Sequence, residues 1–162
     1  MSQRYLPSLL DRMLDLSSGP AEAASVRTFN LEQIKESVAR DLEALLNTRR
    51  GLSEQVLDEF EQTRHSILSY GMDDFVSLTL LNPNDRNFIC QSIERAISHH
   101  EPRLRQVRVF LEVDGSSTQR LKFAIHALLV LNPSEEPVSF DAMLQTMTQQ
   151  YSVHREARHR AT

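Results

Sequence analysis

The chain has one cysteine, Cys90, no tryptophan, four glycines and only 6% aromatic residues. Each shortage excludes something. A lone thiol forms no intrachain disulfide, so the core must hold the fold and a reducing cytoplasm is the expected setting. So few aromatics argue against a base-stacking or sugar-stacking platform. There is no CxxC pair, no glycine-rich phosphate loop and no serine in a nucleophile-elbow setting. No apolar run nears the length of a membrane span, and the opening MSQRYLPSLLDRML lacks the plan of a signal peptide. A formal net charge of −4 and a pI near 5.9 give no basic footprint for nucleic acid.

What is present suits one soluble domain. The chain has 162 residues, 40% hydrophobic and 25% charged, enough to bury a real core. Pro7 to Leu16 reads as a short helix, with Leu6, Leu9, Leu10, Met13 and Leu14 as its apolar stripe. The linker-like SSGPAEAAS, Ser17 to Ser25, then tethers that helix to the rest. It can fold back on the core or dock on a partner, and so short a stripe does not choose.

A stronger helix opens at Asn30, an N-cap with Gln33 at capping-box spacing, and repeats Leu31, Ile34, Val38, Leu42 and Leu45 on one face. It is expected to end in LLNTRRG. Glu54 to Ser69 reads as partly helical, and SYGMDDF as a turn. Asp73 and Asp74 lack the further oxygen ligands of a cation loop. NPND opens another helix, carrying Phe88, Ile89, Ile93, Ala96 and Ile97, which Pro102 forces to stop near His100. Cys90 on this helix reads as a small hydrophobe.

Beyond the proline the period changes to two. Val107, Val109, Leu111 and Val113 alternate with polar residues, as do Leu121, Phe123, Ile125, Ala127 and Leu129 after a turn-rich DGSSTQ. These runs predict an antiparallel hairpin. Val138 to Phe140 predicts one more short strand. The expected fold is α+β: amphipathic helices packed on an antiparallel hairpin or sheet. It divides into a docking helix and linker (1–27), a folded domain (28–153) and a polar tail (154–162) expected to be disordered.

The chemistry is sparse. Glycoside hydrolysis needs two carboxylates, one of them holding a proton. Glu101 is one candidate, but none of Glu94, Asp85 and Glu112 stands out as the second. Arg103 lies two residues away, and a neighbouring cation favours the ionised carboxylate, the wrong form for a general acid. Adjacent His99 and His100 diverge by about 100° on a helix and do not converge on a metal as an i, i+4 pair does. No catalytic, metal or cofactor residue is therefore assigned. Glu101-Pro102-Arg103 remains as architecture. Proline fixes the exit from helix to strand, and the charges either tie that joint within the chain or meet a neighbour.

The order of PSLLDRML, DLEALLNTRR, SYGMDDF, AISHHEPRL, the alternating hairpin and VSFDAML resembles the TssE family of type VI secretion baseplates. That family belongs to the phage baseplate wedge proteins named after a gene-25-like lysozyme. The likeness runs from about Leu6 to Val153, and its most specific element is Glu101-Pro102-Arg103-Leu104 between helix and strand. It departs at TMTQQYSV, which lacks the glycine turn expected before the last strand.

The resemblance implies a non-enzymatic wedge component between baseplate and contractile sheath, cytoplasmic and membrane-proximal, without nucleic acid or membrane insertion. Its implied partners are the wedge proteins TssF, TssG and TssK and the sheath pair TssB and TssC. Glu101, Pro102 and Arg103 are then expected at an interface, as are Leu9, Leu10 and Met13 of the first helix. Val109, Leu111, Phe123 and Ile125 are expected to offer an edge to which a sheath strand adds. The competing readings are a peptidoglycan hydrolase using Glu101 and a general cytoplasmic adaptor.

Overall fold

A computed structural model describes residues 4–15, 28–60, 62–63, 66–75, 82–112 and 120–156. Val113, the expected linker 17–25 and the end of the tail lie outside them. The helices are α1 (Leu9–Asp15), α2 (Leu31–Asn47), α3 (Glu54–Glu59) and α4 (Pro83–His100), with a 3-10 turn at Ile67–Ser69. The strands β1 (Leu104–Glu112), β2 (Arg120–Val130), β3 (Glu135–Gln145) and β4 (Gln150–Arg155) form one antiparallel meander in that order. This is the expected α+β architecture.

The long helices begin where their caps dictate. Asn30 Oδ1 accepts from the Gln33 amide and Gln33 Oε1 from the Asn30 amide, both at 2.9 Å, closing a capping box on α2. Asn82 caps α4 at 3.0 Å, and Pro83 fills the first helical position, where no amide donor is needed. Ile34, Val38, Leu42 and Leu45 from α2 and Ile89, Ile93 and Ile97 from α4 are buried against one face of the sheet. That face supplies Val107, Val109, Phe123, Ile125, Leu129, Val138, Phe140, Ala142 and Val153. On the opposite face Lys122 reaches Glu112 at 2.9 Å and Asp141 at 3.2 Å across three strands, and Phe110 is exposed.

SYGMDDF is more than a turn. Met72 pairs with the chain just after α2, its amide bonding Thr48 O at 2.8 Å while its carbonyl accepts from Arg50 N at 2.9 Å. Gly71 permits this approach. It has φ +113, and a Cβ there would lie 2.5 Å from Thr48 O. The Asp73 side chain is engaged by Arg50.

Two strands differ from expectation. β3 has 11 residues, not the three of Val138–Phe140, and starts ahead of Pro137. Its pairing with β4 ends at Phe140–Arg155, so Pro137 stands where the strand is an edge and proline is tolerated. The turn into β4 has no glycine because Gln149 takes the left-handed conformation, at φ 53. β4 runs through Arg155, so His154 and Arg155 stand in the sheet, past the boundary expected for the tail. No helix among the described residues is long and apolar enough to cross a membrane.

Candidate functional site

Pro102 turns the chain between α4 and β1, and the two charges flanking it meet each other. Arg103 Nε donates to Glu101 Oε1 at 2.7 Å and Nη2 to Glu101 Oε2 at 2.6 Å, a two-pronged pair. The Arg103 backbone amide adds a third contact to Oε1 at 3.2 Å. Glu101 is only 5% exposed. Of the two alternatives left open by the sequence, the charges here tie the joint within the chain. As the residue closing α4, Glu101 bonds its amide to Ile97 O, and its side chain is buried.

The joint continues into α2. Arg103 Nη2 also reaches Asp41 Oδ2 at 2.5 Å, and Nη1 donates to Ser37 Oγ at 3.2 Å. Ser37 Oγ in turn donates to Asp11 Oδ2 on α1 at 2.7 Å, and Arg40 pairs with the other Asp11 oxygen. Burial works against the Arg103 charge, but Glu101 and then Asp41 outweigh it, so the guanidinium is held protonated. Both Glu101 oxygens are occupied by a permanent cation.

α1 thus lies back on α2, held by a buried acid. Tyr5 and Phe29 exchange backbone bonds of 2.8 and 2.7 Å just ahead of the two helices. Leu9, Leu10 and Met13 point away, 70%, 52% and 61% exposed. The fold-back is polar and the apolar stripe is left outward. Sequence reasoning missed Asp11, Ser37 and Asp41. Their signal was the i, i+4 spacing of Ser37 and Asp41 on a helix whose neighbouring positions are core, and a Ser8-x-x-Asp11 cap at the start of α1.

The sheet edges are also built by helices. Phe123 and Ile125 are fully buried on β2, which pairs with β1 and β3, so neither is an edge position. That part of the expectation is corrected: an antiparallel meander leaves only β1 and β4 outside. On β1 the outward amide of Val109 bonds Glu94 Oε1 at 2.8 Å, and that of Leu111 faces the Cys90 sulfur. On β4 the Val153 amide bonds Glu43 Oε2 at 2.8 Å. Asn47 both accepts from Tyr151 N and donates to Tyr151 O, each at 2.8 Å, in the manner of a paired strand.

The spacings explain the match. Side chains four apart on a helix are separated by about 6 Å and alternate strand residues by about 7 Å, so one helical stripe caps two successive outward amides. Glu43 and Asn47 do this for β4, and on β1 Glu94 caps the Val109 amide while Cys90, one turn earlier, lies beside that of Leu111.

Residues 32–134 match the sequence model of the family described as baseplate wedge protein gp25, well over half of the chain. The chain belongs to the gp25 baseplate wedge family. The matched segment contains α2, the Glu-Pro-Arg joint and the β1–β2 hairpin, and it stops before β3. Among solved structures, the chain is similar to one titled "The baseplate complex from the type VI secretion system". The TM-score is 0.49 at 16% identity, covering 71% of this chain and 97% of that one. No curated protein matches. Among the described residues, no three side chains of metal-ligating type come together.

Proposed function

We propose that this wedge-family protein is a non-enzymatic component of a type VI secretion baseplate that links the baseplate to the contractile sheath and helps initiate sheath polymerisation. On this reading it works in the cytoplasm at the membrane-proximal baseplate. Membership of the baseplate wedge family carries the proposal. The joint supports it, because the carboxylate that a hydrolase would use is instead a structural anchor. TssF, TssG and TssK are the proposed wedge partners. The outward side chains of α1, Leu9, Leu10 and Met13, are the proposed contact, held in place by Asp11.

The sheath partners are TssB and TssC, and the proposed place for a guest strand is the outer edge of β1. Such a strand would take over the Val109 and Leu111 amides from Glu94 and Cys90. The released Glu94 has Arg108 Nη1 3.7 Å away to receive it.

Two sets of variants separate these roles. Leu9→Ser, Leu10→Ser and Met13→Ser together leave the Asp11 anchor intact, and should keep the fold while abolishing co-purification with TssF and TssG. Val109→Pro removes an outward amide without touching the β1–β2 ladder. It should keep wedge binding and lose sheath assembly in cells. Normal sheath formation by a folded Val109→Pro protein overturns the strand-addition step. Undiminished wedge binding by the triple variant overturns the α1 contact. Turnover of peptidoglycan by the wild-type protein that disappears in Glu101→Gln would overturn the non-enzymatic reading altogether.

A further inference from the structure

Away from the Glu-Pro-Arg joint, on the other side of α4, a cavity of about 230 Å³ opens between that helix, the segment after α2 and the SYGMDD segment. Leu57, Met72 and Ala96 make part of its wall apolar. Among the described residues, the polar wall holds the guanidinium groups of Arg50 and Arg95, the imidazoles of His99 and His100 and the carboxylate of Asp73. The hydroxyls of Ser69 and Ser92, both residues buried, also line it.

Arg50 is the decisive residue. Its side chain is only 14% exposed, and one terminal nitrogen is engaged by Asp73, yet its Nε is buried with no hydrogen-bond partner. A buried charged donor left unmatched is costly, and native proteins ordinarily give such a group an acceptor. His100 is oriented from behind, with Nε2 3.1 Å from Ser69 O and its ring edge-on to Tyr70 at 5.2 Å. At the rim the Arg95 guanidinium lies 3.5 Å from Ser92 Oγ.

We infer that this cavity binds a small oxyanion, a phosphate or a carboxylate, with Arg50 Nε as its innermost donor and Arg95 closing over it. An oxyanion offers the several acceptor lone pairs that converging guanidinium groups require. The partly apolar wall strengthens each such contact by excluding water. This inference is independent of the assembly role, since none of its residues belongs to the joint, to α1 or to the sheet edges.

The experiment is isothermal titration of the full chain with inorganic phosphate and, separately, with acetate. Sodium chloride at matched ionic strength is the control, and thermal midpoints are recorded in parallel. Saturable binding of phosphate or acetate, absent with chloride, is expected, and the stronger ligand identifies the group the site takes. Arg50→Lys keeps a charge but lacks the Nε donor, and should weaken binding about tenfold or more, the effect of losing one hydrogen bond to a charged group. Arg95→Gln lies on an exposed position and remains folded whatever becomes of Arg50→Lys. It should weaken binding to a similar degree. No heat and no midpoint shift beyond chloride overturns the inference. Binding that persists unchanged in Arg95→Gln and in any folded Arg50→Lys protein overturns it equally.

Discussion

Ser37 Oγ on α2 donates to Asp11 Oδ2 on α1 at 2.7 Å and itself accepts from Arg103 Nη1 at 3.2 Å. One serine therefore joins the first helix to the Glu-Pro-Arg joint. A helix of seven residues is not stable alone, so α1 owes its place to Asp11 and to the Tyr5–Phe29 bridge. Asp11→Ala should leave the domain folded but release α1. Amide exchange over Leu9–Asp15 should then rise to that of an unfolded segment while α2 stays protected. Continued protection of α1 would show that something other than Asp11 holds it.

Acid should produce the same release. Burial pushes the Asp11 carboxyl up, but hydrogen bonds from Ser8 and Ser37 and the Arg40 contact outweigh it and leave the group below its ordinary 3.8. A carboxyl depressed in the folded state contributes stability that is present above the unfolded value and is lost as pH falls through the folded one. α1 should thus remain docked at neutral pH and detach only below 3.8. Side-chain resonances of Leu9 and Met13, followed during acid titration, report this, and Asp11→Asn should remove the transition.

Arg103→Ala should destabilise the whole domain. It strands Glu101, 5% exposed, without its cation, and breaking a buried pair in this way costs about 3 kcal/mol. Adding Glu101→Gln should recover part of the loss, because a neutral amide is cheaper to bury than an unpaired carboxylate. Chemical denaturation of both singles and the double measures the coupling. Equal stability for wild type and Arg103→Ala would mean that the joint contributes nothing to folding.

Tyr151→Phe should be neutral or stabilising by up to about 1 kcal/mol. The ring packs in the core 6.3 Å from Phe123, while its hydroxyl is buried with no partner. That burial pushes the phenol up to about 12. Thermal unfolding decides, and a clear loss of stability would reveal a hydrogen bond to the hydroxyl.

Gly71→Ala should cost roughly 2 kcal/mol or more, the scale of a strained left-handed residue. Here the strain adds to a clash with backbone, since Thr48 O lies 2.5 Å from the new Cβ. Denaturation midpoints test it. An unchanged midpoint would mean that the Met72 segment shifts away from Thr48 without loss.

Local rules read directly from the chain specified much of this protein. Asn30 with Gln33, Asn82 with Pro83 and the alternation of β1 and β2 each state an element within a few residues, because caps and side-chain periods depend on near neighbours. The order of motifs around Glu101-Pro102-Arg103 was enough to point to the wedge family.

Tertiary structure alone decided what the polar residues do. Arg103 finds Asp41 62 positions away, and Val153 finds Glu43 110 positions away. Such contacts follow from how α2 and α4 lie along the sheet edges, and no periodicity within either helix encodes that. The burial of Glu101, the interior position of β2 and the outward leucines of α1 have the same cause. A side chain's partners are fixed by packing between elements, whereas its secondary structure is fixed mostly within one.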